Sequence, residues 1–562
     1  MKTKVILHPI LFGLYPVLFA YTHNIDFAPP RAEVIILLVL AGCCAAMLWG
    51  ALALVTGDVQ KTAIGVSVFI LLFFSYGHLV SLIGVPLAKF RIYSISFGEN
   101  RAPAFVWIVV ALAAARWLKT LSPVAVGTAT LAFNRAAAAL VLLVALNLLG
   151  TLNLMASVHL SGVTSAVAAR STQTLVGKRD LPDIYYIILD DYARADILKD
   201  VYQYDNTAML DWLRARGFYV ADQSHSNYSQ TMLSLASSLN SEYLEAPQLR
   251  SASTDSDPSW HVALNVAAAR YFEKGRAYGI DGSGLTSSRL PLAHMIQYSN
   301  TLRTLKDHGY RFAAFTSGYG GVQLPNADKV VRAEVFDDFE ESLISATPIP
   351  RVFERLYDPI ELHRQRVRYV FDHLADRLGD GTPLFVFAHI LCPHTPFAFE
   401  ADGTSVQKSQ VILDDRLASH GEGSRNALVK AYRSQVQFVN QRIESAIATI
   451  LARSPRPPII ILQSDHGSEM TLDQSNPSAA GIRERMSILN AYYVPDDIRA
   501  QLYPEISPVN TFRIILGRYF PGAWTRLPDE SYFSTWASPY KFVPVNGLLG
   551  QGKATSDGTA MK

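Results

Sequence analysis

The chain has 562 residues, 49% of them hydrophobic, a formal net charge of +2 and three cysteines. That length exceeds one typical domain, and the near-neutral charge leaves no basic surplus for nucleic acid. Cys43 and Cys44 lie together in an apolar run and Cys392 lies far from both, so the second half has neither a disulfide framework nor a zinc-type cysteine spacing. The apolar excess is concentrated before about residue 160.

Five apolar segments occupy roughly 5–22, 33–55, 62–84, 103–118 and 136–158. A helix needs about 20 apolar residues to cross a bilayer. The second, third and fifth meet that length; the first and fourth are shorter or interrupted, which leaves four as the other count. Lys2 and Lys4 precede the first segment, but Pro9 and Pro16 interrupt it and no small-residue cleavage pattern follows, unlike a signal peptide. With the N-terminus inside, the inner side holds Lys2, Lys4, Lys61, Arg116, Lys119 and Arg135, and the outer side holds Arg31, Lys89, Arg91 and Arg101. That bias favours an inner N-terminus, and five spans then put residue 160 onward outside. The stretch 86–102 fits either a loop or an interfacial amphipathic segment. The expected division is a transmembrane domain over 1–160, a linker over 161–182, a soluble domain over 183–535 and a fraying tail over 536–562.

In the soluble half, Asp183-Ile-Tyr-Tyr-Ile-Ile-Leu-Asp190 is an apolar run ending in a carboxylate, followed by Asp191 and a helical pattern that stops at Gly217. Next come "GYRFAAFTS", a helical stretch near 358–378, Leu384-Phe-Val-Phe-Ala-His389, and a long amphipathic helix in "ALVKAYRSQVQFVNQRIESAIATILAR". Ile459-Ile-Ile-Leu-Gln-Ser-Asp-His-Gly467 is another buried-strand run, and "RMSILNAYYVP" a further strand. Strands alternating with helices predict an α/β domain with a mostly parallel sheet.

Three of these strands end in metal-ligand chemistry: Asp190, His389 with His394 five residues later, and Asp465–His466. In open parallel sheets ligands collect at the carboxyl ends of strands. A carboxylate and an imidazole together suit zinc or manganese. Ser226–Asn240 adds a hydroxyl: Leu233, Leu235, Ala236 and Leu239 form a helical apolar face that puts Ser229 to Thr231 at the N-terminus. That end offers free N–H groups to a phosphate or sulfate; the bland alternative is an ordinary Ser/Thr cap.

In order and spacing these motifs resemble the sulfatase-like branch of the alkaline phosphatase superfamily, close to lipoteichoic acid synthases and phosphoethanolamine or phosphoglycerol transferases. "IILDD" resembles the first metal strand and Thr231-Met-Leu-Ser-Leu the nucleophile motif. His389-Ile-Leu-Cys-Pro-His394-Thr-Pro and Ser464-Asp-His-Gly467 resemble the two later elements. The resemblance implies Asp190, Thr231, Asp465 and His466 as ligands of one divalent ion, manganese or zinc, with Thr231 as nucleophile. It implies His394 and His389 on the transferred phosphate or the leaving alcohol, with Asp191 and Arg485 also on the substrate side. The chain departs from the family in having no second-half disulfides, no histidine between 467 and 488, and no C/S-x-P-x-R sulfatase signature.

The expected function is a metal-dependent transferase in a bacterial plasma (inner) membrane, with its catalytic domain periplasmic or extracellular. It would move phosphoglycerol or phosphoethanolamine from a membrane phospholipid to a cell-envelope glycan or lipid through a phospho-threonine. The alternatives are a phosphodiesterase or sulfatase-like hydrolase, and a non-catalytic envelope-binding protein.

Overall fold

Apolar side chains spaced all round a helix have only lipid or other helices to face, and the N-terminal half is built that way. A computed structural model describes residues 5–23, 31–80, 82, 91–92, 95–96, 101–167, 181–244, 289–333, 336, 338–352, 358–376, 381–407, 410–412, 422–522 and 524–549. The chain divides into two units, Met1–Met155 with Val335–Pro359, and Ala156–Glu334 with Ile360–Lys562.

The first unit holds α1 (His8–His23), α2 (Arg31–Thr56), α3 (Val59–Leu79), α4 (Arg101–Thr120) and α5 (Pro123–Val167). Among the described residues, four stretches are long and apolar enough to cross a membrane: Glu33–Thr56, Val59–Leu79, Ala102–Thr120 and Pro123–Leu149. The 16 residues of α1 reach about 24 Å at 1.5 Å per residue, short of a hydrocarbon core of about 30 Å. Instead α1 is a packed helix. Phe12 clusters with Ala45, Val66, Ile70 and Ala137, and a Cβ on Gly13 would stand 2.9 Å from the Ala45 Cβ. Asn134 of α5 accepts from the Leu7 and His8 N–H groups at 2.9 and 3.0 Å, satisfying donors a helix start leaves open. The last span begins at Pro123 rather than near 136, because proline suits the first helical position. The helix then runs to Val167, into the expected linker. Of the stretch 86–102, Arg91–Ile92 pairs with Ile95–Ser96 and Arg101 opens α4; the rest lies outside the described residues.

A short piece from the second half of the sequence also belongs to this unit. Phe339 and Leu343 cluster with Val17, Tyr21 and Val34, and the Gly77 N–H donates to Ala346 O at 2.8 Å. The expected soluble domain 183–535 is therefore interrupted at this point.

The second unit is an α/β domain around a seven-stranded sheet. Its strands are β1 (Ile184–Leu189), β2 (Tyr219–Val220), β3 (Arg311–Phe315), β4 (Lys329–Val331), β5 (Leu384–Ile390), β6 (Ile459–Gln463) and β7 (Asn490–Tyr493). The spatial order is β2-β7-β6-β1-β5-β3-β4. The five from β6 to β4 are parallel; beyond β6, β7 pairs antiparallel with it and β2 pairs antiparallel with β7. β1, β5 and β6 are buried along their whole length, as parallel strands covered on both faces must be. One face packs on the helix Glu422–Arg453, whose Val436, Val439, Ile443 and Ile447 recur at three- and four-residue steps against Ile187, Val386 and Leu462. On the other, Phe512 meets the rings of Tyr186 and Phe385 at 5.1 and 6.2 Å. A hairpin of β8 (Tyr532–Thr535) and β9 (Ser538–Pro544) follows. It extends past residue 535, where composition predicted fraying, because Tyr532 stacks on Tyr228 at 5.7 Å and its N–H donates to Asn227 O at 2.9 Å.

Candidate active site

Register decides where the chemistry collects. β1 lies between β5 and β6, with Ile188 opposite both His389 and Gln463. Asp190 and Asp465 each come two residues later, so the two carboxylates emerge level at the carboxyl edge of the sheet. His389, opposite Ile188, stands two residues lower on the third strand.

Of the four sequence-expected ligands, three converge on the fourth, at Nε2 of His466. Thr231 Oγ1 lies 3.0 Å from it, Asp465 Oδ2 3.1 Å and Asp190 Oδ1 3.7 Å. Nδ1 of His466 is 3.2 Å from the Gly467 carbonyl. A carbonyl only accepts, so Nδ1 carries the proton and Nε2 presents its lone pair. His389 Nε2 is 3.4 Å from Asp190 Oδ2. All these side chains are buried.

This arrangement leaves oxygens short of donors. Asp190 Oδ1, both oxygens of Asp465 and both ring nitrogens of His389 are buried with no well-formed hydrogen bond among the described residues. Burial and the neighbouring Asp190 charge push the Asp465 carboxyl up to about 7. Burial also acts to raise Asp190, but His394, His389 and His466 outweigh it and hold that carboxyl below its ordinary range. Burial, then Arg485, lowers the His466 imidazole well below its ordinary value. Two buried carboxylates and a neutral imidazole, with ligand atoms within 4.8 Å of one another, are a donor set for a divalent cation. Such an ion would supply the positive charge that the buried oxygens lack as a partner.

Thr231 is the first residue of the helix Thr231–Asn240, after Gln230, whose side chain makes no cap bond. Its hydroxyl therefore is not a cap; it faces the cluster. Ser229 is committed elsewhere: its hydroxyl donates to Ser534 O at 3.2 Å. Ser237 likewise donates to Glu242 O at 2.6 Å.

The remaining expected residues divide. Asp191, at φ 69°, points at Arg485 Nη1 (2.9 Å) and His466 Nδ1 (3.5 Å). Arg485 also donates to Ser229 O at 2.8 Å and Gly467 O at 3.0 Å, and approaches His466 Nε2 at 3.1 Å. Both residues are in the cluster, yet these contacts tie protein to protein: they brace Thr231's segment against the Asp-His-Gly turn. His394 is half-buried, and its Nδ1 donates to Thr395 O at 2.7 Å, which makes Nε2 the atom able to exchange a proton. Gly467 is required by its backbone surroundings. A Cβ there would stand 2.2 Å from Glu484 O and 2.7 Å from Ser487 O, so backbone crowding requires glycine, not approach to a ligand.

Three residues escaped the motif reading. Ser226 Oγ donates to Asp465 O at 2.5 Å. The Tyr319 ring lies 6.5 Å from that of His389, and burial pushes its hydroxyl up to about 12. It follows β3 at the same sheet edge, a position the strand-end rule could have flagged. Glu484, buried beside Arg485, accepts from Tyr202 OH (2.8 Å), Ser468 Oγ (2.7 Å), Met470 N (3.0 Å) and Thr471 N (2.8 Å). It holds the loop after His466, and nothing in its sequence surroundings announces that.

Fold and site together define a protein with apolar helices long enough to span a membrane and an α/β domain bearing a buried Asp–Asp–His–Thr cluster at its parallel edge. Among solved structures the chain is similar to phosphoethanolamine transferases and sulfatases, the class its motifs resemble. The C-terminal periplasmic domain of Escherichia coli EptC matches at 11% identity and TM-score 0.38, over 67% of this chain and 98% of that one; it has also been solved in complex with Zn. The integral membrane lipooligosaccharide phosphoethanolamine transferase A of Neisseria meningitidis matches at 12% and 0.34, over 91% of this chain and 94% of that one. A putative sulfatase of Bacteroides thetaiotaomicron matches at 14% and 0.34, over 67% and 76%. No protein-family model matches the chain, and no curated protein does.

Proposed function

We propose that this chain is a membrane-anchored, divalent-metal-dependent transferase of the sulfatase-like kind. It moves phosphoglycerol or phosphoethanolamine from a membrane phospholipid to a glycan or lipid of the cell envelope, with the α/β domain on the outer side of a bacterial inner membrane; with four spans this places residues before α2 on the outer side too, against the six-to-four Lys and Arg bias. The observation that carries this is the Thr231 hydroxyl, at a helix N-terminus and 3.0 Å from His466 Nε2, beside carboxylates that lack donors.

A divalent cation, manganese or zinc, held by Asp190, Asp465 and His466 with Thr231 would supply positive charge for phosphoryl oxygens and for the threonine oxygen. Thr231 Oγ1 forms the new bond to phosphorus as the bond to the lipid alcohol breaks. The proton given up by the hydroxyl ends on that alcohol, with His394 Nε2 as its carrier. Backbone N–H groups at the start of the Thr231 helix meet the anionic group. An acceptor alcohol then takes the group from Thr231, which regains its proton. Asp191 and Arg485 keep the His466 turn and the Thr231 segment in register.

The test is donor phospholipid without acceptor, followed by peptide mass spectrometry. A phospho-adduct on Thr231 and accumulated diacylglycerol are expected. An active Thr231→Ala protein would overturn the covalent route. Water competing as well as any acceptor alcohol would make the protein a phosphodiesterase. A donor set this complete argues against a non-catalytic binding protein, and metal content of the purified protein checks that.

A further inference from the structure

A cavity of about 440 Å³ opens in the α/β unit, and none of Asp190, Thr231, His389, His394, Asp465 or His466 lines it. Its size lies within the range of about 300–1,000 Å³ typical of small-molecule sites. It is one hydrogen-bonded layer from the cluster. Ser531, in its wall, donates to Ser226 O at 2.7 Å, and Ser226 Oγ donates to Asp465 O at 2.5 Å.

The lining identifies the class of ligand. Arg194 grips Asp196 through two bonds of 2.7 and 3.0 Å, and Arg483 reaches the same carboxylate at 2.7 Å. Glu505 and Asp529 face them from other parts of the wall. Burial, then Arg194, lowers His225 to about 3, so this imidazole adds no charge near neutral pH. Two guanidinium groups thus meet three carboxylates, and an anion entering the cavity gains no net attraction. The charged groups are also held still. Asp529 accepts from the Ser507 N–H and hydroxyl (2.9 and 2.6 Å) and from Tyr503 OH (2.7 Å). The Gln223 N–H donates to Pro504 O at 3.0 Å, which joins the backbone at Gln223 to the residue before Glu505; both Gln223 and Glu505 are exposed at the rim.

Fixed, two-headed polar groups of both signs suit a ligand that donates and accepts at neighbouring positions without carrying charge. Vicinal hydroxyls do this: they donate to carboxylates and accept from guanidinium or amide N–H. We propose that this cavity binds a neutral saccharide unit, as a site separate from the transfer chemistry. The inference stands or falls independently of the reaction at Thr231.

The test uses the full-length protein in a detergent without a sugar headgroup. The probes are glucose, galactose, N-acetylglucosamine and maltose, followed by saturation-transfer NMR. Saturable binding of at least one is expected, undiminished in Thr231→Ala. The Gln223→Ala/Glu505→Ala double variant, which changes only exposed rim residues, should bind about tenfold more weakly, a change of about 1.4 kcal/mol. Inorganic phosphate should not displace the sugar. The inference is overturned by no saturable binding of any of the four up to about 50 mM, well above a weak Kd of about 1 mM. It is overturned equally by unchanged affinity in the double variant, or by displacement by phosphate. Loss of turnover in Thr231→Ala with no sugar binding would leave the transferase intact and remove only this site.

Discussion

Two buried carboxylate environments stand side by side in this domain and are built in opposite ways. Glu484 is sealed in by donors: the hydroxyls of a tyrosine, a serine and a threonine, and two backbone N–H groups. Asp190 and Asp465 are as deeply buried, yet three of their four oxygens lack a well-formed hydrogen bond among the described residues. Leaving a buried charge unsatisfied is costly. A fold that satisfies one carboxylate so fully has the means to satisfy the others. The difference teaches that Glu484 is there to hold a loop, and that the aspartates are kept short of donors for a partner that is not protein.

The most severe way to break that comparison is to remove an aspartate. Asp465→Ala should lose bound divalent metal, measured by elemental mass spectrometry, and should lose turnover by about 10³-fold or more. Full metal occupancy in that variant would show that this strand end is not a ligand. In chelator-treated protein, Asp465→Asn should melt no lower than the parent, because one of two mutually repelling buried charges is gone.

Thr231→Ala should abolish turnover while the melting temperature stays within a few degrees. The hydroxyl caps nothing, so the change costs less than the roughly 0.5–2 kcal/mol of a lost cap. Thr231→Ser, which keeps the oxygen, should retain measurable activity. Metal content should fall only partly in Thr231→Ala, since Asp190, Asp465 and His466 remain.

Glu484→Ala should reverse the pattern. Several buried donors lose their acceptor at about 1–3 kcal/mol each, so the melting temperature should drop sharply. Metal bound per folded molecule should survive better than in Asp465→Ala. Equal stability of Glu484→Ala and parent would erase the contrast between the two environments.

Ser229→Ala is the smallest change. It removes two hydrogen bonds, one to Ser534 O and one from the Ser534 N–H, each worth about 0.5–1.5 kcal/mol, and should keep activity near the parent level. A phospho-adduct found on Ser229 instead would move the nucleophile by two residues.

Much of the candidate site was legible because parallel strands announce their ends. β1, β5 and β6 are nearly continuous apolar runs, and each has an ionisable residue at or within two residues of its end: Asp190, His389 and Asp465. The helix carrying Thr231 was legible from its leucine spacing. The bracing roles of Asp191 and Arg485 were not, since the sequence places them 294 residues apart and only a closed sheet edge makes them neighbours. Glu484 went unread for the same reason: its donors come from Tyr202 and from the loop beyond His466. In the membrane half, composition marked the apolar segments but could not tell that α1 is a packed helix. Burial of Phe12 against Ala45 and Ala137 depends on which helices surround it.

By itself, then, the sequence determined the local facts: which runs are apolar, which period they follow, where strands end and which ligand types stand there. These follow from side-chain chemistry and a spacing of a few residues. Tertiary structure alone decided that Asp190 and Asp465 sit level, because strand order and register are set by long-range pairing. It likewise decided that Phe339 and Leu343 join the N-terminal helices and that the final hairpin packs on Asn227 and Tyr228. Those contacts bridge hundreds of residues, and their energy comes from apolar surface and hydrogen-bonding groups that find partners only once the chain has folded.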